Sequence, residues 1–269
     1  MTTTATLERE ARAPRPRATP RPIPLSRIVA VELRKMFDTR AGFWLMVGIA
    51  IISVVATGAT VIFAPRSELT YESFATAIGA PMSILLPIVA ILAVTGEWSQ
   101  RSGLTTFTLI PHRGRVIAAK AISILGVAVV SMVLAAVIGA AGNLIGTSIA
   151  GVDTSWNVSL DEFGLIVLAN VLGMAMGFML AVLMRNSAGA IVGYFAYTAL
   201  IPTISSALAS TQDWWQANGP WFDFSYASSR LYQDSMTSEH WAQLGVAGLF
   251  WLLIPLAIGL RLVLRSEVK

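Results

Sequence analysis

The chain has 269 residues, of which 55% are hydrophobic and 13% charged, at a mean hydropathy of +0.68. Soluble domains carry about 25% charged residues, so this composition excludes an ordinary water-soluble globule and points to an all-α membrane protein. The net charge is +4, but in such a chain the place of each charge tells more than the sum. Cysteine is absent, which excludes a disulfide framework, a thiolate metal site and a cysteine nucleophile.

Residues 1–24 alternate Pro14, Pro16, Pro20, Pro22 and Pro24 with Arg9, Arg12, Arg15, Arg17 and Arg21. They contain no apolar run of signal-peptide type and too little apolar surface to offset ordering, so a disordered basic tail is expected. It is either simply solvated or in weak contact with anionic lipid headgroups. Residues 25–41 have helical periodicity. Leu25, Ile28, Val29, Leu33, Met36 and Phe37 share one face, with Arg27, Arg34 and Asp38 opposite. Ser26 is the expected N-cap, and a helix of this kind lies along a membrane interface. Glu32 falls in the middle of the apolar face. Two accounts fit: an i, i+3 pair with Lys35, or a pair with a base of a later polar segment, Arg101 or Lys120.

Six apolar runs follow, near 43–63, 77–95, 116–146, 163–184, 188–209 and 244–264. Each is long enough to cross roughly 30 Å of hydrocarbon, for which about 20 helical residues suffice. They lack the alternation of barrel strands, so helices are expected. The third run is too long for one upright span; its first turns project from the bilayer, or it tilts. Only Arg185, Asn186 and Ser187 separate the fourth and fifth, which predicts a tight hairpin. Pro87, Pro202 and Pro255 fall inside spans and should kink them.

Charge sets the expected orientation. The residues before the first span, the segments after the second and fourth spans, and the C-terminal end carry all but two of the 19 Lys and Arg residues. The other side has only Arg66 and Arg230, against the acids Glu68, Glu72, Asp153, Asp161, Glu162, Asp213, Asp223, Asp234 and Glu239. By the positive-inside rule both termini face the cytosol. With Lys120 and Arg261 counted among the flanking charges, the span cores hold no Asp, Glu, Lys or Arg, which argues against an ion-coupled carrier. Asn143 and Asn170 are polar exceptions, suited to interhelical hydrogen bonds or to a substrate path. GxxxG spacings at Gly142/Gly146, Gly173/Gly177 and Gly189/Gly193 allow close helix contact.

On the outer side, residues 210–241 gather Trp214, Trp215, Trp221, Phe222, Phe224, Tyr226, Tyr232 and Trp241. Two readings apply: an interfacial aromatic belt, or two short helices turning at Asn218-Gly219-Pro220 and closing a pathway as an outer gate. No Walker A loop, HExxH motif or metal-ligand cluster is present, and His112 and His240 fall on opposite faces, so no catalytic residues and no metal are expected.

The stretch EWSQRSGLTTFTLIPHRGR, residues 97–115, interrupts two apolar runs. Glu97 and Arg101 stand at i, i+4. Trp98, Leu104 and Phe107 supply an apolar knob, Pro111 stops a helix, and Arg113, Arg115 and Lys120 suit cytosolic headgroups. The pattern from Glu97 through Arg101, Gly103, Thr105, Thr106, Pro111 and Arg113 to Lys120 resembles the cytosolic segment of ABC-2 type transporter permeases, although Leu104 separates a Gly and Thr that are adjacent in many of them. Residues 25–41, with Glu32 and Lys35, resemble the N-terminal elbow helix of that family. The resemblance covers about residues 25–269.

It implies six spans after an elbow helix, with both termini cytosolic and the chain in the cell membrane. It also implies a coupling helix over 98–110 that seats in a P-loop ATPase subunit, with Glu97, Trp98, Arg101, Leu104, Phe107 and Arg113 carrying the contact and Arg185 a smaller one. ATP and Mg would belong to that partner, with no cofactor in this chain. A second permease subunit, identical or related, would complete the path. No nucleic acid partner is implied. Export of a hydrophobic or amphipathic substrate (a drug, peptide or lipid-linked molecule) is the expected function. The alternative is a membrane scaffold or sensor that anchors cytosolic partners without transport.

Overall fold

The computed structural model describes residues 23–99, 113–233 and 236–265. No strand occurs among them. The helices are α1 (Leu25–Asp38), α2 (Arg40–Phe63), α3 (Tyr71–Ser99), α4 (Arg113–Ala150), α5 (Leu160–Met184), α6 (Ser187–Thr211), α7 (Asp213–Asn218), α8 (Phe224–Ser229), α9 (Ser238–Gly248) and α10 (Ile254–Arg265). A π-turn over Leu249–Leu253 joins the last two. Among the described residues six helices are long and apolar enough to cross a membrane: α2, α3, α4, α5, α6 and the continuous Ser238–Arg265. Their order and number match the six apolar runs, as in a multi-pass membrane protein.

Local chemistry explains the breaks. Thr39 is extended and its hydroxyl accepts from Gly42 N at 3.2 Å, so it ends the run of α1 and caps α2. The predicted helix over 25–41 therefore stops at Asp38. Its start also differs: Pro24 occupies the N-cap and Ser26 lies inside the first turn. Proline suits a helix start because its missing N–H would have had no partner there. Ser159 and Glu162 form a capping box at α5, and Thr237 and His240 form one at α9. Asn186 caps α6 through Gly189 N at 2.9 Å, one residue after Arg185 turns the chain in the left-handed region at φ 53°.

Helix α3 is the hub, packed against α1, α2, α4, α5 and α6. Phe74, Ile78, Met82 and Leu86 recur every fourth residue and are fully buried. Pro81 and Pro87 both lie within α3; only the second was anticipated. By contrast α2 buries only Ile49 and Ser53, and α6 only Ala190 and Tyr194. Leucine, isoleucine and valine side chains stand exposed on α2 and α4, as lipid contact or a further subunit requires.

Small residues set the closest approaches. A Cβ on Gly177 of α5 would lie 2.6 Å from the Pro87 carbonyl oxygen of α3. A Cβ on Gly142 or Gly146 of α4 would press into the Phe74 ring at 3.0 and 2.9 Å. Gly142 and Gly146 thus work as a pair, whereas Gly193 faces only Met184 and Leu180 beside its own hairpin. The Gly177→Ala substitution is expected to destabilise the purified protein by about 1–3 kcal/mol through overpacking. Gly126→Ala, whose Cβ meets nothing within 4 Å, should instead stabilise by roughly 0.5–1 kcal/mol through helix propensity. Thermal melts in detergent test the opposite signs.

Candidate functional site

Four charged side chains meet where α1, α3 and α4 converge. Glu32 comes from α1, on the buried stripe formed with Ile28 and Met36. That stripe is narrower than the predicted apolar face, since Leu25 and Phe37 remain exposed. Lys35 follows one turn later. Glu97 lies in the last turn of α3 and Lys120 in the third turn of α4.

Lys120 Nζ lies 2.6 Å from Glu32 Oε2, donates to Ala93 O at 3.0 Å and stands 3.5 Å from Glu97 Oε1. Lys35 Nζ bonds Glu32 Oε1 at 2.7 Å and Glu97 Oε1 at 3.1 Å. The side chains of Glu32, Glu97 and Lys120 are only 5–6% exposed, against 41% for Lys35. Both accounts of Glu32 therefore hold together: it pairs with Lys35 nearby and with Lys120 across the bundle. The flanking charges Glu97 and Lys120 are nonetheless drawn into the bundle. Lys120 and Glu97 lie within membrane-length helices and are buried, because each finds an opposite charge that offsets its desolvation.

The formal charges of the four residues cancel. Glu97 Oε2 is buried without a hydrogen-bond partner among the described residues. Burial alone would pull the Lys35 ammonium down, but hydrogen bonding and Coulomb attraction from Glu32 and Glu97 outweigh it and raise its pKa.

Further polar contacts tie this end to the rest of the bundle. Ser123 Oγ donates to Val29 O at 3.3 Å, and Arg115 Nη2 to Ile23 O at 2.6 Å, which fasten α4 to α1 and the residues before it. Arg113 Nη1 donates to Val263 O at 3.0 Å, reaching α10. The Thr95 and Ser187 hydroxyls lie 2.7 Å apart and join the end of α3 to the first turn of α6, beside the turn residue Arg185.

Of the expected coupling residues, Glu97 and Trp98 prolong α3 and Arg113 opens α4, so the flanks of residues 97–115 are continuous with spanning helices. Arg101, Leu104 and Phe107 lie outside the described residues. At the opposite end, Asn143 Nδ2 donates to Ser155 O at 2.8 Å in the loop after its own helix. Asn170 Nδ2 bonds Ile166 O at 2.9 Å and approaches Tyr232 Oη at 3.5 Å. Trp214, Trp215 and Phe222 form one aromatic cluster with ring centroids 6.1–6.4 Å apart. Trp221 sits in the short turn between α7 and α8. Trp251 Nε1, which sequence reading did not single out, holds the Phe222 carbonyl at 2.7 Å.

Replacing Lys120 by Met leaves two buried carboxylates facing only Lys35. The expected loss is about 3–5 kcal/mol in denaturation of the detergent-solubilised protein. Adding Glu32→Gln to Lys120→Met should restore part of it, a non-additive pair in a double-mutant cycle. Because the Lys35 pKa is raised, its stabilisation is fully present below the ordinary lysine value of about 10.4 and is lost as pH rises through the folded value. Melts from pH 8 to 11.5 should therefore converge for wild type and Lys35→Met only at the alkaline end.

No protein-family model matches this chain, and no curated protein matches it either.

Proposed function

We propose that this chain is the membrane-spanning permease subunit of an ATP-binding cassette transporter of the ABC-2 type, working as an exporter in the cell membrane with both termini cytosolic. The observation that carries this reading is the four-charge cluster of Glu32, Lys35, Glu97 and Lys120. It joins an amphipathic helix to the two helix ends from which residues 100–112 emerge. A segment anchored in this way can pass a push to α1, α3 and α4 together, whereas an ordinary connecting loop has no need of buried charge at its base.

ATP binding and hydrolysis, with Mg, belong on this reading to a separate P-loop ATPase. Arg101, Leu104 and Phe107 meet it, and Arg185 lies at the same end of the bundle. A second subunit, identical or related, covers the bare faces of α2 and α6, where one chain alone buries almost nothing. The Trp214–Trp215–Phe222 cluster stands at the outer end as a gate, and the substrate is hydrophobic or amphipathic.

The test is co-purification of the full chain with its ATPase, followed by the Arg101→Glu and Phe107→Asp variants. Each is expected to lower ATPase recovery about tenfold or more, as loss of an interface anchor does, while membrane insertion stays unchanged. Undiminished recovery with both variants overturns the coupling assignment. Absence of any P-loop ATPase from the purified complex favours the scaffold alternative.

A further inference from the structure

A cavity of about 550 Å³ opens at the end of the bundle remote from the charge cluster, walled by the first turns of α3 and α5, the middle of α4 and residues 231–233. Its volume falls within the range of small-molecule sites, roughly 300–1,000 Å³. Tyr71, Phe163 and Tyr232 bring aromatic surface to it, and Gly79 leaves a gap in its wall. Two carboxylates, Glu72 and Glu162, line the same space.

The fold holds these carboxylates in place without neutralising them. Glu72 Oε2 accepts from Asn157 Nδ2 at 2.9 Å, and Glu72 N donates to Asn157 Oδ1 at 3.0 Å, so the loop before α5 clamps the residue at both ends. Glu162 Oε2 accepts from Ser159 N at 2.6 Å within the capping box of α5. The four ion pairs among the described residues all lie in the Glu32–Lys120 cluster. Neither Glu72 nor Glu162 is paired with a base there, and no Lys or Arg lines the cavity.

A largely apolar chamber with two negative charges and three aromatic rings selects a particular chemistry. Anions are repelled, and a small hydrated metal ion gains nothing from the apolar wall; no cluster of three metal-ligating side chains occurs among the described residues. A cation with apolar substituents satisfies both features at once, through Coulomb attraction to the half-buried Glu162 and to Glu72 at the exposed mouth, and through aromatic faces that attract positive charge.

We propose that this cavity binds a lipophilic organic cation, a phosphonium or substituted ammonium group carrying apolar arms. The site lies within one chain, so the inference stands independently of the permease reading.

The test uses the full purified chain in nanodiscs of phosphatidylglycerol, a lipid without an ammonium group, and compares tetraphenylphosphonium with tetraphenylborate, which matches it in shape but not in sign. Saturable binding of the cation alone is expected. Glu72→Gln and Glu162→Gln should each weaken it roughly tenfold, a 1.4 kcal/mol change, with Asn157 still able to bond the amide in the first variant. Gly79→Leu provides a second route: a Cβ there meets nothing within 4 Å and leucine favours a helix over glycine, so the variant folds while its side chain fills the chamber and abolishes binding.

Equal binding of the two probes, or cation binding untouched by all three variants, overturns the proposal. Competition in phosphatidylcholine nanodiscs would identify a lipid headgroup as the natural source of the cation, and its absence a free solute; either result supports the shared chemistry. Because the readout is binding to this chain alone, its failure leaves the ATPase co-purification result intact, and the reverse also holds.

Discussion

Charge neutrality inside a low-dielectric bundle is the constraint on which this structure rests. An isolated ion there costs several kcal/mol, so Glu32, Glu97 and Lys120 can be buried only in one another's company, with Lys35 at the exposed edge. That requirement fixes three things at once. It sets the rotation of α1 about its own axis, the register of α3 against α4, and the distance between the two helix ends that bracket residues 100–112. Apolar burial alone would fix none of them, because lipid solvates leucine as well as another helix does. In such a medium, polar pairing and close contact between small residues confer specificity. Both occur here, the first at the Lys120 end and the second where Gly142, Gly146 and Gly177 admit neighbouring helices.

The two ends of the bundle are built on different principles. At the charged end, hydrogen bonds from Arg113, Arg115, Ser123 and Thr95 bind α1, α3, α4, α6 and α10 into one rigid plate. At the far end the helices part around a cavity, and short helices with stacked aromatics take the place of a continuous wall. Helix α4 spans both regions without a proline or a break. At about 1.5 Å per residue its length approaches 57 Å. On the permease reading, one stiff rod therefore connects the segment that receives force with the side chains that face the cavity.

Much of this was legible in the sequence, and the failures have physical reasons. The six spans announce themselves because an apolar run of about 20 residues has few other uses. The break at Thr39 was missed because amphipathic periodicity continues across it; one side chain's hydroxyl ends the helix there. Glu32 was conspicuous as an acid on an apolar face, and it pairs with both Lys35 and Lys120, while the third candidate, Arg101, lies outside the described residues. The burial of Lys120 was not foreseen, since a lysine near a span end reads as a snorkelling flank until the depth of α1 is known. Glu72 and Glu162 read only as two of the nine acids on one side of the spans, and Asn157 was not singled out. Their convergence on one cavity depends on how the loop after α4 folds back over α3, a long-range contact that leaves no periodic trace.

The buried ion pairs also impose an order on biosynthesis. Glu32 leaves the ribosome 88 residues ahead of Lys120, a delay of about 4–18 s at typical translation speeds of roughly 5–20 residues per second. For that interval Glu32 has only the half-exposed Lys35 to offset its charge. Burial of α1 against α3 and α4 is therefore balanced in charge only once the fourth helix is present. The neutrality of this end thus waits on a single lysine.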